Sequence, residues 1–147
     1  MSPVVNHVGL TVSSLDRSLA FYRDAVGLEV VLEQEKEGGY LAAITRYPGA
    51  HVRIAQLEGH GGSRIELFEY LEPRGRASAH EPADVGITHV CLLVDDIHDA
   101  RRRLVDAGAE PFSDPVPIDT GANTGAWSLY VRDPDGIVLE LFQPPAG

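Results

Sequence analysis

Cysteine is almost missing from this chain: Cys91 stands alone, so no internal disulfide framework exists and a reducing compartment is implied. Positive charge is also scarce. Twelve Lys and Arg face twenty-two Asp and Glu, a net charge of −10, and the resulting field repels phosphate backbones and anionic lipid. Nucleic acid is thereby excluded as an expected partner. No apolar run approaches the roughly 18 residues needed to span a bilayer, and the opening MSPVVNHVGL lacks a basic stretch ahead of an apolar one. A cytoplasmic protein with no membrane partner is expected. What remains is ordinary soluble composition, 44% hydrophobic and 23% charged, too apolar for disorder. The lone cysteine is expected to be a small buried strand residue.

The organising feature is repetition. VNHVGLTV, ending at Val12, returns as ITHVCLLV, ending at Val94, with His7 and His89 at the same place in each copy. Both strand patterns run into helical ones. Leu15, Leu19, Tyr22 and Val26 form a stripe with Ser13 or Ser14 placed to cap it and Gly27 to stop it; Ile97, Ala100, Leu104 and Val105 form another, with Asp95 or Asp96 as cap and Gly108 as stop. The copies also close alike, SRIELFEY (63–70) echoing IVLELFQP (137–144), so that Glu66 and Glu140 share a place.

Between helix and closing strand the first copy offers LEVVLEQE (28–35) and HVRIAQLE (51–58), and the second offers WSLYVR (127–132) followed by the turn Asp133-Pro134-Asp135-Gly136. Each copy therefore reads βαβββ. The expected fold is α+β, two tandem modules forming a curved mixed sheet around a metal-binding cleft. Residues 1–71 make the first module, 72–86 a linker and 87–147 the second. GYLAAITRY (39–47) reads as a short helical insertion, and SDPVPIDTGANTGA (113–126) as a loop long enough to act as a lid.

Side chains alternate along a strand, so His7 shares a face with Gly9 and Thr11, while Val8, Leu10 and Val12 face the other way. Glu66 likewise points away from Ile65 and Leu67. One histidine on an apolar strand is ordinarily structural, but two equivalent His and Glu pairs call for a common partner, because a buried unpaired carboxylate is costly. A divalent cation satisfies His7, Glu66, His89 and Glu140 together, and the donor set suits Mn, Fe, Co, Ni or Zn. If the hairpin turn holds, Asp133 pairs with Ile137 and Tyr130 lies opposite Glu140, with Ser128 and Arg132 flanking.

NHVGLTVSSLDRSLAFYRDAVGL, THVCLLVDDI and DPDGIVLELF together resemble the vicinal oxygen chelate superfamily, which includes glyoxalase I, methylmalonyl-CoA epimerase, extradiol dioxygenases and antibiotic-resistance proteins. The resemblance implies metal ligands on the first and last strands of each module, here His7, Glu66, His89 and Glu140. It also implies a metal that chelates substrate oxygens and stabilises charge developing on them. Extradiol dioxygenases leave the position of Glu66 unliganded, so a four-ligand set points to proton transfer beside a carbonyl, with Glu140 and Glu66 as candidate bases. Glutathione-binding glyoxalases commonly carry arginine four residues after the first ligand and asparagine four after the second, where this chain has Thr11 and Tyr70.

The expected activity is that of a divalent-metal-dependent isomerase or epimerase acting on a small oxygenated substrate or acyl thioester. The alternatives are a glyoxalase-type lyase, an extradiol dioxygenase or a non-catalytic drug-binding protein. Tyr130, Tyr70, Ser128 and Asn123 are the expected substrate contacts. A homodimer is expected, since paired modules leave sheet edges to cover.

Overall fold

The protein is described by a computed structural model covering residues 2–78 and 81–147. Among the described residues nine strands in two mixed sheets and three helices fall into two compact units, residues 1–77 and 78–147. Among the described residues no helix is long and apolar enough to cross a membrane.

In the first unit β1 (Val8–Val12) leads into α1 (Leu15–Leu19), which continues in π-type winding over Ala20–Val26. Ser14 caps the helix by accepting from the Arg17 amide, and Gly27 ends it at φ +94°, where a side chain would be strained. After β2 (Glu29–Glu37) comes the inserted α2 (Gly39–Thr45), then β3 (His51–Glu58) and β4 (Arg64–Glu72). The sheet order is β1-β4-β3-β2, with β1 parallel to β4 and the other pairs antiparallel. One face packs beneath α1: Leu10, Val12, Ala55, Leu57, Ile65 and Leu67 are buried, as are Leu15, Leu19 and Tyr22. Each such large side chain removed from water contributes about 1.5–3 kcal/mol. The opposite face of β3 is covered by α2, where Leu41 packs with Ala50, Val52 and Ile54.

The second unit runs β5 (Val90–Leu93), α3 (Ile97–Asp106), β6 (Glu110–Pro111), β7 (Val116–Pro117), β8 (Trp127–Arg132) and β9 (Val138–Gln143). Its order is β5-β9-β8-β6, with β7 also on β8 and β5 parallel to β9. Asp96, not Asp95, is the α3 cap, accepting from the amides of His98 and Asp99. Ile97, Ala100 and Leu104 are buried as expected, but Val105 is exposed, because the next position along a helix turns away from the stripe.

The repeat is reproduced in register. Gly9 pairs with Glu66 and Cys91 with Glu140 across the two parallel ladders. The β8–β9 hairpin closes as its sequence implies: the Asp133 amide donates to the Ile137 carbonyl, and Tyr130 stands opposite Glu140. The 113–126 segment is more ordered than a free lid. It carries β7, and its return is tied by Ile118 N–H to Ala126 O and Gly125 N–H to Ile118 O.

The closing strand of each unit also pins the start of its helix. The buried Glu69 carboxylate accepts from Leu15 N–H at 3.0 Å and from Arg53 at 3.2 Å, while Arg53 also reaches Asp16 at 2.7 Å. Gln143 does the equivalent task without charge, accepting from Ile97 N–H at 2.8 Å. Both residues lie three positions beyond the glutamate of the shared ELF.

Candidate metal centre

In the first unit His7 sits just before β1, and its Nε2 lies 3.3 Å from Glu66 Oε1. Its Nδ1 is 2.8 Å from Asn6 Oδ1, so an Nδ1–H donating there leaves the Nε2 lone pair aimed at the carboxylate. Two lone pairs facing each other call for a proton or a cation between them. The other Glu66 oxygen accepts from Gln56 Nε2 at 2.5 Å, Gln56 being directly across the β3–β4 ladder. Glu66 is 8% exposed and thus among the few buried carboxylates of the chain.

The second unit repeats the contact. His89 Nε2 lies 3.1 Å from Glu140 Oε2, and Ser128 Oγ–H donates to Glu140 Oε1 at 2.8 Å. The Tyr130 ring tilts against the His89 ring at 5.0 Å, and Phe112 meets Tyr130 edge-on at 6.2 Å. Burial, then the charge of Glu140, raises the Tyr130 pKa above its ordinary value of 10.0. Arg132 stacks over Phe112 at 4.8 Å and pairs with Glu81 at 3.1 Å, so it serves as an ion-paired wall next to Tyr130.

Cys91 corrects one expectation. It is exposed, not buried, because the β5 face carrying His89 is not the one that packs under α3. The protein packed round its sulfur, and then the neighbouring Glu140, push the thiol up to about 11, so it stays protonated at neutral pH and bonds Glu140.

Two first-row metal ligands at about 2.0–2.2 Å from one ion stand roughly 2.9–3.5 Å apart when they are neighbours in its shell. Both His–Glu separations, 3.3 and 3.1 Å, fall in that range. Imidazole nitrogen with carboxylate oxygen is also the right donor chemistry for such ions. The second carboxylate oxygen of each pair is anchored by a neutral donor, the outer support that fixes a ligand's orientation. Among the described residues no group of three or more His, Cys, Asp and Glu is gathered closely enough to hold a metal; the donors come as two pairs.

Of the expected substrate contacts, Tyr130 and Ser128 lie at Glu140, Ser128 being spent on the carboxylate itself. Tyr70 lies on the Glu66 face of β4, two alternations along. Asn123 lies in an exposed turn, where its carbonyl accepts from Ala126 N–H. Gln56 was not visible beforehand. Its signal was the cross-strand register of β3 and β4, which a Gly-rich turn of open length did not disclose.

The family model of the Glyoxalase/Bleomycin resistance protein/Dioxygenase superfamily matches residues 4–141. A 2-epi-5-epi-valiolone epimerase from an Actinomyces species is 32% identical over 97% of this chain and 80% of its own length. An ethylmalonyl-CoA/methylmalonyl-CoA epimerase of Cereibacter sphaeroides is 31% identical over 95% of this chain and 96% of its own. The crystal structure of a glyoxalase family protein from Bacillus cereus superposes with a TM-score of 0.86 at 28% identity, covering 97% of this chain and 94% of that one. With its doubled module, its two mixed sheets and a match that runs nearly end to end, the chain belongs to the glyoxalase/bleomycin resistance protein/dioxygenase superfamily.

Proposed function

We propose that this protein is a divalent-metal-dependent epimerase or isomerase that moves a proton on a carbon next to a carbonyl of a small oxygenated substrate or acyl thioester. The observation that carries the reading is the same His–carboxylate contact appearing twice, at 3.3 and 3.1 Å, on the same parallel register. Epimerase relatives at 31–32% identity support the reaction class. His7, Glu66, His89 and Glu140 would hold one ion of Mn, Fe, Co, Ni or Zn, the two pairs being supplied by one chain or by two subunits of a homodimer. When bound, such an ion polarises the substrate carbonyl and stabilises the negative charge that develops on its oxygen.

This chain's residues supply the rest. Glu140 takes the α-proton; Ser128 holds its Oε1 in place, so the carboxylate does not need to find its orientation during reaction. Glu66, held by Gln56, would take up a proton from solvent and return it to the face opposite Glu140. Tyr130, kept protonated by its surroundings, offers a hydroxyl beside Glu140 to a substrate oxygen. The setting that goes with this reading is a cytoplasmic homodimer acting on a small molecule.

The test is elemental analysis of protein purified without added metal, followed by α-proton exchange in deuterated water with acyl thioesters and hydroxyketones. Metal retained by native protein and lost in His7→Ala with Glu66→Ala, together with exchange on at least one carbonyl class, supports the reading. Native protein that takes up none of Mn, Co, Ni or Zn on reconstitution refutes it.

A further inference from the structure

The Glu66 face of the first unit does not end at the carboxylate. Along β4 the residues that follow on the same side are Phe68 and Tyr70, and across the ladder Gln56, Ile54 and Val52 stand opposite Glu66, Phe68 and Tyr70 in turn. Beyond the Gln56–Glu66 rung the β3 and β4 residues on this side are apolar or aromatic, while the outer strands carry Thr11 beside Phe68 and Gln34 and Lys36 beside Ile54 and Val52. Leu41, Ala50, Val52 and Ile54 form a buried cluster, against which Phe68 and Tyr70 lie half-buried. The Phe68 and Tyr70 rings are stacked with 25° between their planes at 6.2 Å, and Tyr47 meets Tyr70 edge-on at 6.2 Å. At about 3.4 Å per strand residue, this floor begins about 7 Å from Glu66 and reaches about 14 Å from it.

Two physical points decide what the floor is for. A face that only had to support α2 would be satisfied by Leu41, Ala50, Val52 and Ile54, all of them already out of water. Phe68 and Tyr70 instead keep part of their rings open, in line with the carboxylate and on its side of the sheet. Their alignment is also directional: along β4 itself this face runs from Glu66 through Phe68 to Tyr70, which meets the exposed Tyr47, with the one charge of these rungs, Lys36, at the far β2 edge.

We propose that Phe68 and Tyr70, walled by Tyr47 after α2, form a binding lane for an aliphatic acyl chain carried by the substrate, whose carbonyl lies at the His7–Glu66 end. The inference rests on the reading that His7 and Glu66 mark the reacting centre, and it names the substrate class as an acyl compound with a medium-length hydrocarbon tail. A small polyhydroxylated ring would leave the lane empty and its aromatic floor wet.

The experiment is a calorimetric titration of the full chain with N-acetylcysteamine thioesters carrying acetyl, butyryl, hexanoyl and octanoyl groups. Native protein is expected to tighten by roughly two- to fourfold per added methylene, as burial of each such group implies. Phe68→Ala and Tyr70→Ala are expected to lose far more affinity for octanoyl than for acetyl. Tyr47→Ala, at an exposed position where folding is not in question, is expected to weaken octanoyl binding by a smaller factor, and Tyr70→Phe to preserve the native slope. A flat native series overturns the lane, as does a slope unchanged in Phe68→Ala and Tyr70→Ala. If a second copy of the chain covers this face instead, the series is flat and Phe68→Asp turns a dimer into a monomer, which also overturns it. Exchange in deuterated water separates the two readings: exchange with a flat series retains the epimerase and removes the lane, whereas a steep series with no exchange retains the lane and removes the epimerase.

Discussion

The two units place the same His–carboxylate contact on the same register but surround it with different chemistry. In the first, Glu66 is buried and held by the Gln56 amide, Gly9 leaves the neighbouring position empty, and α2 closes an apolar floor beside it. In the second, Glu140 is more open, held by the Ser128 hydroxyl, and next to Cys91 and Tyr130. The difference teaches that a doubled module need not do a doubled job. One half sets hydrocarbon beside its carboxylate; the other sets the Ser128 and Tyr130 hydroxyls and the Cys91 thiol beside its own.

The comparison breaks most sharply at the shared element. His89→Ala is expected to abolish tight metal binding while the fold remains, so metal content by elemental analysis should fall to background, and a full equivalent retained would show that the doubled contact is not a doubled ligand set. If the halves have divided the work, Glu140→Gln should slow α-proton exchange by about a hundred- to ten-thousand-fold with little change in substrate affinity. Equal losses in Glu66→Gln and Glu140→Gln would erase the asymmetry.

Away from the metal the helix pins give a stability contrast. Glu69→Ala strands the buried Leu15 amide and removes one partner of Arg53, and is expected to cost about 2–3 kcal/mol in chemical denaturation. Gln143→Ala loses one neutral bond to the Ile97 amide and should cost about 1 kcal/mol. The smallest effect concerns acid. The Arg53 hydrogen bond, then its charge, holds Asp16 below its ordinary value of 3.8, so this contact contributes stability above that value and loses it as pH falls through the lower folded one. Asp16→Asn should therefore lower the unfolding midpoint slightly near neutrality and leave it unchanged in acid, so that the midpoint falls less as pH drops.

Much of this was legible in the order of residues. The doubled strand and the ELF echo marked the two modules, and the Tyr130–Glu140 pairing followed from counting back along a hairpin whose turn type its residues specify. The less legible parts depended on tertiary contact. Gln56 meets Glu66 only because the Gly59–Gly62 turn has one particular length, and α2 reads as a short helix without saying which face it covers. Cys91 is open although its strand is apolar in composition, because composition does not reveal that one face stays exposed. Glu69 and Gln143 differ in charge, which hid their shared task of receiving a helix amide.

The Asp133 carboxylate, 4% exposed, accepts from the amides of both Asp135 and Ile137, locking the turn from within. Because strand side chains alternate, one residue gained or lost there would send Glu140 to the packed side of the sheet and bring Leu139 or Leu141 to the face of His89. The phase of Glu140 against His89 is therefore set by this turn. An insertion between Pro134 and Gly136 that moved β9 by one residue would part Glu140 from His89 while leaving both residues in place in the gene.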